Sequence, residues 1–347
     1  MDSRMLKSLF VLQLFSSFLV FAGHYTALVL NYNDSFWVAA LNQLSRYGTV
    51  ILAIITGYFT VRVLDRKNLN GWNFFSGKII YIFIPFILCG VLYHYLLNLE
   101  MPATATDFAN ILLGKTGSQL YFIFMLFQYY VFAYLFRNVI TKKNILYLIL
   151  PFMVIQYVYI NYLHQPWLGL TTRHILPSWI FTFYLGHIIY WYQDVIIGFM
   201  KKHLSVVIGL TAFSVGSAIM FVLSETIYVA VHLRFVIATL CTLLIVLFFL
   251  INWADQFKLK FQKGLTFFIY LTHSAVMILS NKYLIAQYGD ISWIFQNTWY
   301  TIAYLLTIYA VTFMVSLLFA KVMGIIDKGR KRLGQMKPQQ QQQERST

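Results

Sequence analysis

The chain has 347 residues, of which 60% are hydrophobic, 19% aromatic and 11% charged, with a formal net charge of +15. A soluble domain carries about 25% charged residues. The composition therefore excludes an ordinary soluble enzyme and points to an all-α, polytopic membrane protein. The positive charge clusters at one set of span ends, which membrane topology explains, so nucleic acid is not expected as a partner.

Apolar runs of roughly 18 to 25 residues read as transmembrane helices. Ten are expected, near 8–30, 42–64, 75–97, 119–137, 144–162, 175–193, 203–223, 230–251, 264–281 and 297–320. The opening MDSRMLKS enters the first run directly and has no signal-peptide pattern. That run, FVLQLFSSFLVFAGHYTALVL, holds Gln13, Ser17 and His24 on one helical face. Gln13 and His24 stand three turns apart, roughly 16 Å along the axis. An imidazole in hydrocarbon costs free energy unless it faces protein or water, so His24 is the first functional candidate.

The second run, SRYGTVILAIITGYFTVRVL, carries a stripe of Thr49, Ala53, Thr56 and Thr60 with Gly57 beside it. Close helix packing through small residues is the expected use of that stripe. Arg46, at the outer end of this run, stands near the depth of His24. It suits either an anionic partner or a snorkelling position. The third run contains Lys78 and Pro85, and Gln128 falls near the middle of the fourth. His187 lies in the sixth, toward the cytoplasmic side. In the ninth, LTFFIYLTHSAVMILSNKYL, the residues Thr266, Tyr270 and His273 share a face, with His273 near the midplane.

Basic residues mark alternate connections: Arg4 and Lys7; Arg62, Arg66, Lys67 and Lys78; Arg137, Lys142 and Lys143; Lys201 and Lys202; Lys258, Lys260 and Lys263; and the tail. The other connections hold few, among them Lys115, Arg173, Arg234 and Lys282. By the positive-inside rule both termini are cytoplasmic, which requires an even number of spans. Residues 1–327 form the expected ten-helix membrane domain, and 328–347 a basic, Gln-rich, disordered tail. Trp72, Trp167, Trp179, Trp253 and Trp293 are expected as interfacial anchors. Cys89 and Cys241 fall in apolar spans as packing residues, and no metal-ligand spacing is present. Carboxylates fall in loops or at span ends, which weighs against a proton-driven pump.

Six segments, in this order, carry a resemblance: FAGHYT, SRYGTVILAIITGYFT, FFSGKIIYIFIPFILCGVLYHY, LYFIFMLFQYYVFAYL, PSWIFTFYLGH and LTFFIYLTHSAVMI. Together they resemble the acyltransferase 3 family of integral membrane O-acyltransferases. Within it they are most similar to a subgroup from poly-N-acetylglucosamine biofilm loci, viewed both as exporters and as O-succinyltransferases. Gln13 stands where the family usually has an arginine, Val50 replaces a proline, and only Lys78 remains of a basic pair.

The resemblance implies transfer of an acyl group, acetyl or succinyl, from cytoplasmic acyl-CoA to hydroxyls of a surface polysaccharide or its lipid-linked precursor, at the cell membrane. Acyl-CoA would be a substrate, and no bound cofactor is expected. His24 would be the base or a transient acyl carrier, with Tyr270 and His273 orienting the reacting groups. Arg62, Arg66, Lys67 and Lys78 would meet the CoA phosphates. Arg46, Gln13 and Gln128 are the candidates for substrate contact. Two other readings stay open. The 25 tyrosines and eight tryptophans suit a glycan exporter or flippase, and Gln13 suits a non-catalytic partner of a polysaccharide synthase.

Overall fold

The computed structural model describes residues 3–66, 69–164, 169–224, 231–256, 262 and 264–343, with side chains through 327 except residue 255. Among the described residues every regular element is helical. Ten principal helices follow the chain: α1 (Ser3–Val29), α2 (Phe36–Leu64), α3 (Gly71–Asn98), α4 (Leu120–Leu135), α5 (Ile149–Leu163), α6 (Ile180–Lys202), α7 (Leu204–Leu223), α8 (Leu233–Trp253), α9 (Leu265–Tyr288) and α10 (Thr298–Gln343). Helices α1, α2, α3, α7, α8 and the Thr298–Asp327 part of α10 are long and apolar enough to cross a membrane. Helices α4 and α5 are apolar but shorter, and α6 and α9 are long but more polar. Each overlaps one of the ten expected segments. The chain is a multi-pass, all-α membrane protein.

Between helices in lipid, close van der Waals contact replaces the hydrophobic effect as the driving term. Glycine supplies that contact here. Helix α2 packs extensively against α6. A Cβ on Gly57 would stand 2.0 Å from the Phe183 carbonyl oxygen, and one on Gly186 would stand 2.0 Å from that of Ile54. The two backbones therefore touch at a glycine pair. Gly48 does the same against α1, where a Cβ would stand 2.6 Å from the Ser16 oxygen. Thr49, Thr56 and Thr60 of the stripe line cavities, and Gly57 beside them makes the backbone approach to α6.

Three local features aim side chains. Helix α2 breaks at Arg46, between its Phe36–Ser45 and Tyr47–Leu64 parts. Helix α3 widens into a π-turn at Ile79–Phe83, just before Pro85. Proline lacks an N–H and its ring crowds the carbonyl four residues back, so the wider turn lets the helix continue. In α9 the Tyr93 hydroxyl donates to Leu271 O at 2.8 Å and accepts from Ala275 N–H at 3.0 Å. It thereby ties α3 to the turn that carries His273.

Some expectations change. Trp179 is not an interfacial anchor: it is wholly buried and its Nε1–H donates to Arg173 O at 3.0 Å. Trp72 is 73% exposed, and Trp167 lies outside the described residues. Helix α6 begins at Ile180 rather than 175, after two short 3-10 turns at Thr172–His174 and Leu176–Ser178. The backbone of 328–343, expected as a disordered tail, continues α10 as helix. Lysine, arginine and glutamine are good helix formers, which is consistent with that continuation.

Candidate active site

Two cavities are stacked along the same helices. The first, of about 490 Å³, is lined by His24, Asn42, Arg46, Thr49, Tyr121 and Arg173, among others. The second, of about 640 Å³, is lined by Gln13, Thr56, Arg62, Lys78, Tyr81 and Tyr270, with apolar walls that include Phe59, Ile82, Leu126 and Phe267. Chain order fixes their relation. Along α1, Gln13 faces the second and His24 the first. Along α2, Arg46 and Thr49 face the first, and Leu52 through Val63 the second. On α4 one step changes cavity, from Tyr121 to Phe122.

His24 lines the first cavity together with Val20, Gly23 and Ala27 of α1. Its ring centroid is 5.1 Å from that of His273. His273 is fully buried, with Nδ1 3.1 Å from the Ile269 carbonyl oxygen and no protein partner for Nε2 among the described residues. Tyr270 lies 6.0 Å from His273, ring to ring, and 5.5 Å from Phe122. Its hydroxyl donates to Gln119 O at 2.7 Å. Tyr270 and Phe122 thus form part of the partition between the cavities.

Arg46 donates from a guanidinium nitrogen to Asn42 Oδ1 at 3.1 Å. Asn42 in turn donates to Gly23 O at 3.1 Å and Thr26 Oγ1 at 3.0 Å. That network fixes Arg46 beside the helical turn of His24. Lys78 donates to Phe74 O at 3.2 Å, and its ammonium lies 3.4 Å over the Phe74 ring and 4.7 Å from that of Tyr130. Aromatic faces stabilise a cation held this way in an apolar wall. Tyr81 donates to Asp327 Oδ1 at 2.5 Å, joining α3 to α10 at the same chamber.

The structure brings His24 and Arg46 to one cavity, with the buried His273 behind His24, and Gln13, Arg62, Lys78 and Tyr270 to the other. Gln128 lines neither cavity. Its amide donates to His174 O at 2.8 Å and accepts from Leu176 N–H at 3.1 Å, so it holds the segment that carries Arg173. Arg66 is exposed outside both linings, and Lys67 lies outside the described residues.

Sequence reading missed Ser118, Asn42, Tyr121 and Arg173. Ser118 Oγ stands 3.3 Å from His24 Nδ1. It comes from a loop that turns at Gly114, whose φ of +69 requires glycine. Arg173 did carry a signal: it is one of the few cations at the cation-poor end.

The molecule is an integral membrane bundle with two chambers and a histidine pair, of which His24 lines one chamber. The chain belongs to the acyltransferase 3 family: the family model, described as an acyltransferase domain, matches residues 6–320. A Staphylococcus epidermidis protein named "Probable poly-beta-1,6-N-acetyl-D-glucosamine export protein" is 29% identical over 248 residues, covering 67% of this chain and 68% of that protein. A Staphylococcus aureus (strain MRSA252) protein of the same name is 26% identical over 181 residues, covering 47% of this chain and 49% of its own length. No solved structure matches the chain significantly.

Proposed function

We propose that the protein is a membrane O-acyltransferase that moves an acetyl or succinyl group from cytoplasmic acyl-CoA to hydroxyls of a cell-surface polysaccharide. The observation that carries this reading is the contact of His24, in one chamber, with His273, about one turn of α9 from Tyr270 of the other, the two chambers being of unlike chemistry. The donor enters the larger chamber, with its phosphates near Arg62 and Lys78 and its thioester arm along the apolar wall. The acceptor enters from the His24 side.

His24 takes the proton of the acceptor hydroxyl as its oxygen attacks the thioester carbon. The C–O bond forms, the C–S bond breaks, and the imidazolium returns the proton to the departing sulfur. General-base assistance of this kind contributes about 10²–10⁴-fold. Arg46 supplies positive potential for the developing oxyanion, and Arg173 holds the acceptor. His273 and Tyr270 hold the partition against which the thioester is oriented.

Export of a surface polysaccharide is the second reading, favoured by the names of the relatives. One comparison separates the two: surface glycan and its O-acyl esters, from cells with the intact protein and with His24→Ala. Normal glycan that has lost its esters supports transfer. Loss of all surface glycan supports export. No change in either removes His24 from both.

A further inference from the structure

A third cavity, of about 490 Å³, lies between α2, α4, α6 and the turns that join α4 to α5. It lies across α2 from the Lys78 chamber: Thr60 and Arg62 line that chamber, while Val61 and Leu64 line this cavity. Its walls are apolar, with Val61, Leu64, Ala133 and Ile140. Three cations also line it, Arg137, Lys142 and Lys143, against one carboxylate, Asp65. That carboxylate is engaged, since Asp65 Oδ2 accepts from the Tyr190 hydroxyl at 2.8 Å. Arg137 is held in place, donating to Tyr134 O at 2.9 Å with its guanidinium 4.0 Å from the Tyr134 ring centroid.

Two residues of the lining, His187 and Trp191, carry side-chain nitrogens without a partner among the described residues. His187 is 3% exposed, and its Nε2 stands 2.6 Å from the Tyr129 hydroxyl. Its Nδ1 is buried and has no partner among the described residues. One turn further on α6, on the same face, Trp191 Nε1 is also buried without a partner. An indole N–H can only donate. In the tautomer protonated on Nδ1, Nε2 accepts from Tyr129 and the Nδ1–H is a donor as well. Buried donors are almost always satisfied, and an exception requires an explanation such as a bound anion or water. Two orphan donors on one helix face, in a cavity with three cations, call for a ligand rich in acceptors and negative charge.

We propose that this cavity binds the phosphodiester headgroup of an anionic phospholipid. The phosphate oxygens meet the His187 and Trp191 N–H groups and the cations, and the glycerol lies along Val61, Leu64 and Ile140. A lipid suits the site better than a soluble phosphate. The walls are apolar, the cavity is at the helix ends of a membrane bundle, and basic pockets between such helices bind acidic headgroups. The inference is independent of the acyl-transfer reading, because no group assigned to transfer lines this cavity.

The test uses full-length protein in neutral detergent. Thermal unfolding is followed with phosphatidylglycerol, phosphatidylcholine, coenzyme A or inorganic phosphate added. Phosphatidylglycerol is expected to raise the midpoint by about 3 °C or more, and phosphatidylcholine to leave it unchanged. The rise is expected to fall below about one-third in Arg137→Gln/Lys143→Gln and in Trp191→Phe. Trp191→Phe keeps a six-membered aromatic ring and removes the N–H together with the pyrrole part of the indole. Lipid phosphorus retained by the unmutated protein after detergent washing gives a readout that needs no variant. Equal shifts with both lipids, or a shift undiminished in the variants, overturn the site. A shift from coenzyme A or phosphate that is lost in these variants, with none from phosphatidylglycerol, overturns the lipid assignment.

Discussion

The His24 cavity and the Lys78 chamber share α1, α2 and α4, yet those helices give the two spaces different chemistry. On the His24 side the lining is Asn42, Ser45, Thr49, Thr171 and Thr172 with two arginines, Arg46 and Arg173. On the Lys78 side it is mostly aromatic and aliphatic, with Arg62 and Lys78 as its cations. A polyhydroxylated acceptor fits the first, where its hydroxyls find hydrogen-bond partners. A thioester arm fits the second, where burying its methylenes is favourable. The change from one to the other occurs within a single residue step, Tyr121 to Phe122. The comparison teaches that the partition, more than either chamber, is what must be built accurately.

The largest expected effect comes from opening the contact between α2, which lines both spaces, and α6. Gly186→Ala places a Cβ 2.0 Å from Ile54 O and 2.5 Å from Tyr58 N, both backbone atoms that cannot rotate away. Overpacking of this kind costs about 1–3 kcal/mol and more where the backbone itself must shift. Size-exclusion profiles and thermal unfolding are expected to show loss of monodisperse protein. Gly198→Ala, on the same helix with nothing within 4 Å of the added carbon, leaves both unchanged. Equal behaviour of the two variants would remove the glycine contact as the basis of the frame.

Much of that frame is legible in the sequence, because hydropathy and helix length obey the same bilayer constraint. His24 and His273 stood out as imidazoles in hydrocarbon, and the structure brings their rings to 5.1 Å. Periodicity shows which residues share a face but not what that face meets. Thr49, Thr56 and Thr60 read as a packing stripe, yet they line cavities. Gln128 read as a membrane-depth polar group, yet its amide ends on the backbone at 174 and 176. Ser118 and Gln119 reach the site through a loop, whose path depends on the Gly114 turn and on tertiary contacts that no helical period encodes.

The two sides are separable by kinetics. Lys78→Met removes a chamber cation and keeps the stem that packs on Phe74. It is expected to raise KM for acyl-CoA about tenfold, equivalent to about 1.4 kcal/mol, without altering KM for the acceptor. Arg173→Gln is expected to act in the opposite sense, on the acceptor alone, by a similar factor. Purified protein with varied donor and acceptor concentrations reads both. If each variant shifted both constants equally, the division into a donor side and an acceptor side would fail.

A smaller gain is expected from Gln13→Arg. Gln13 lines the Lys78 chamber, three turns from His24 on α1. A guanidinium there adds a third cation to the chamber beside Arg62 and Lys78 and is expected to increase turnover about threefold at low acyl-CoA, by tighter donor binding. Unchanged or lower turnover would mean that Gln13 suits this chain's own substrate rather than marking a lost function.

The smallest effect expected is at Ser118, and it bears on the partition most directly. Its hydroxyl is exposed and stands 3.3 Å from His24 Nδ1, in the place an acceptor hydroxyl would take. In direct transfer Ser118 only orients the resting imidazole, a neutral hydrogen bond worth about 1 kcal/mol. Ser118→Ala should then change turnover by no more than about fivefold, with no acylated protein detected by mass spectrometry when donor is supplied alone. A loss as deep as that of His24→Ala, together with an acyl ester on Ser118 in the intact protein, would replace direct transfer by two steps. Ser118 would then carry the acyl group across the partition, and the two chambers would be used in turn rather than together.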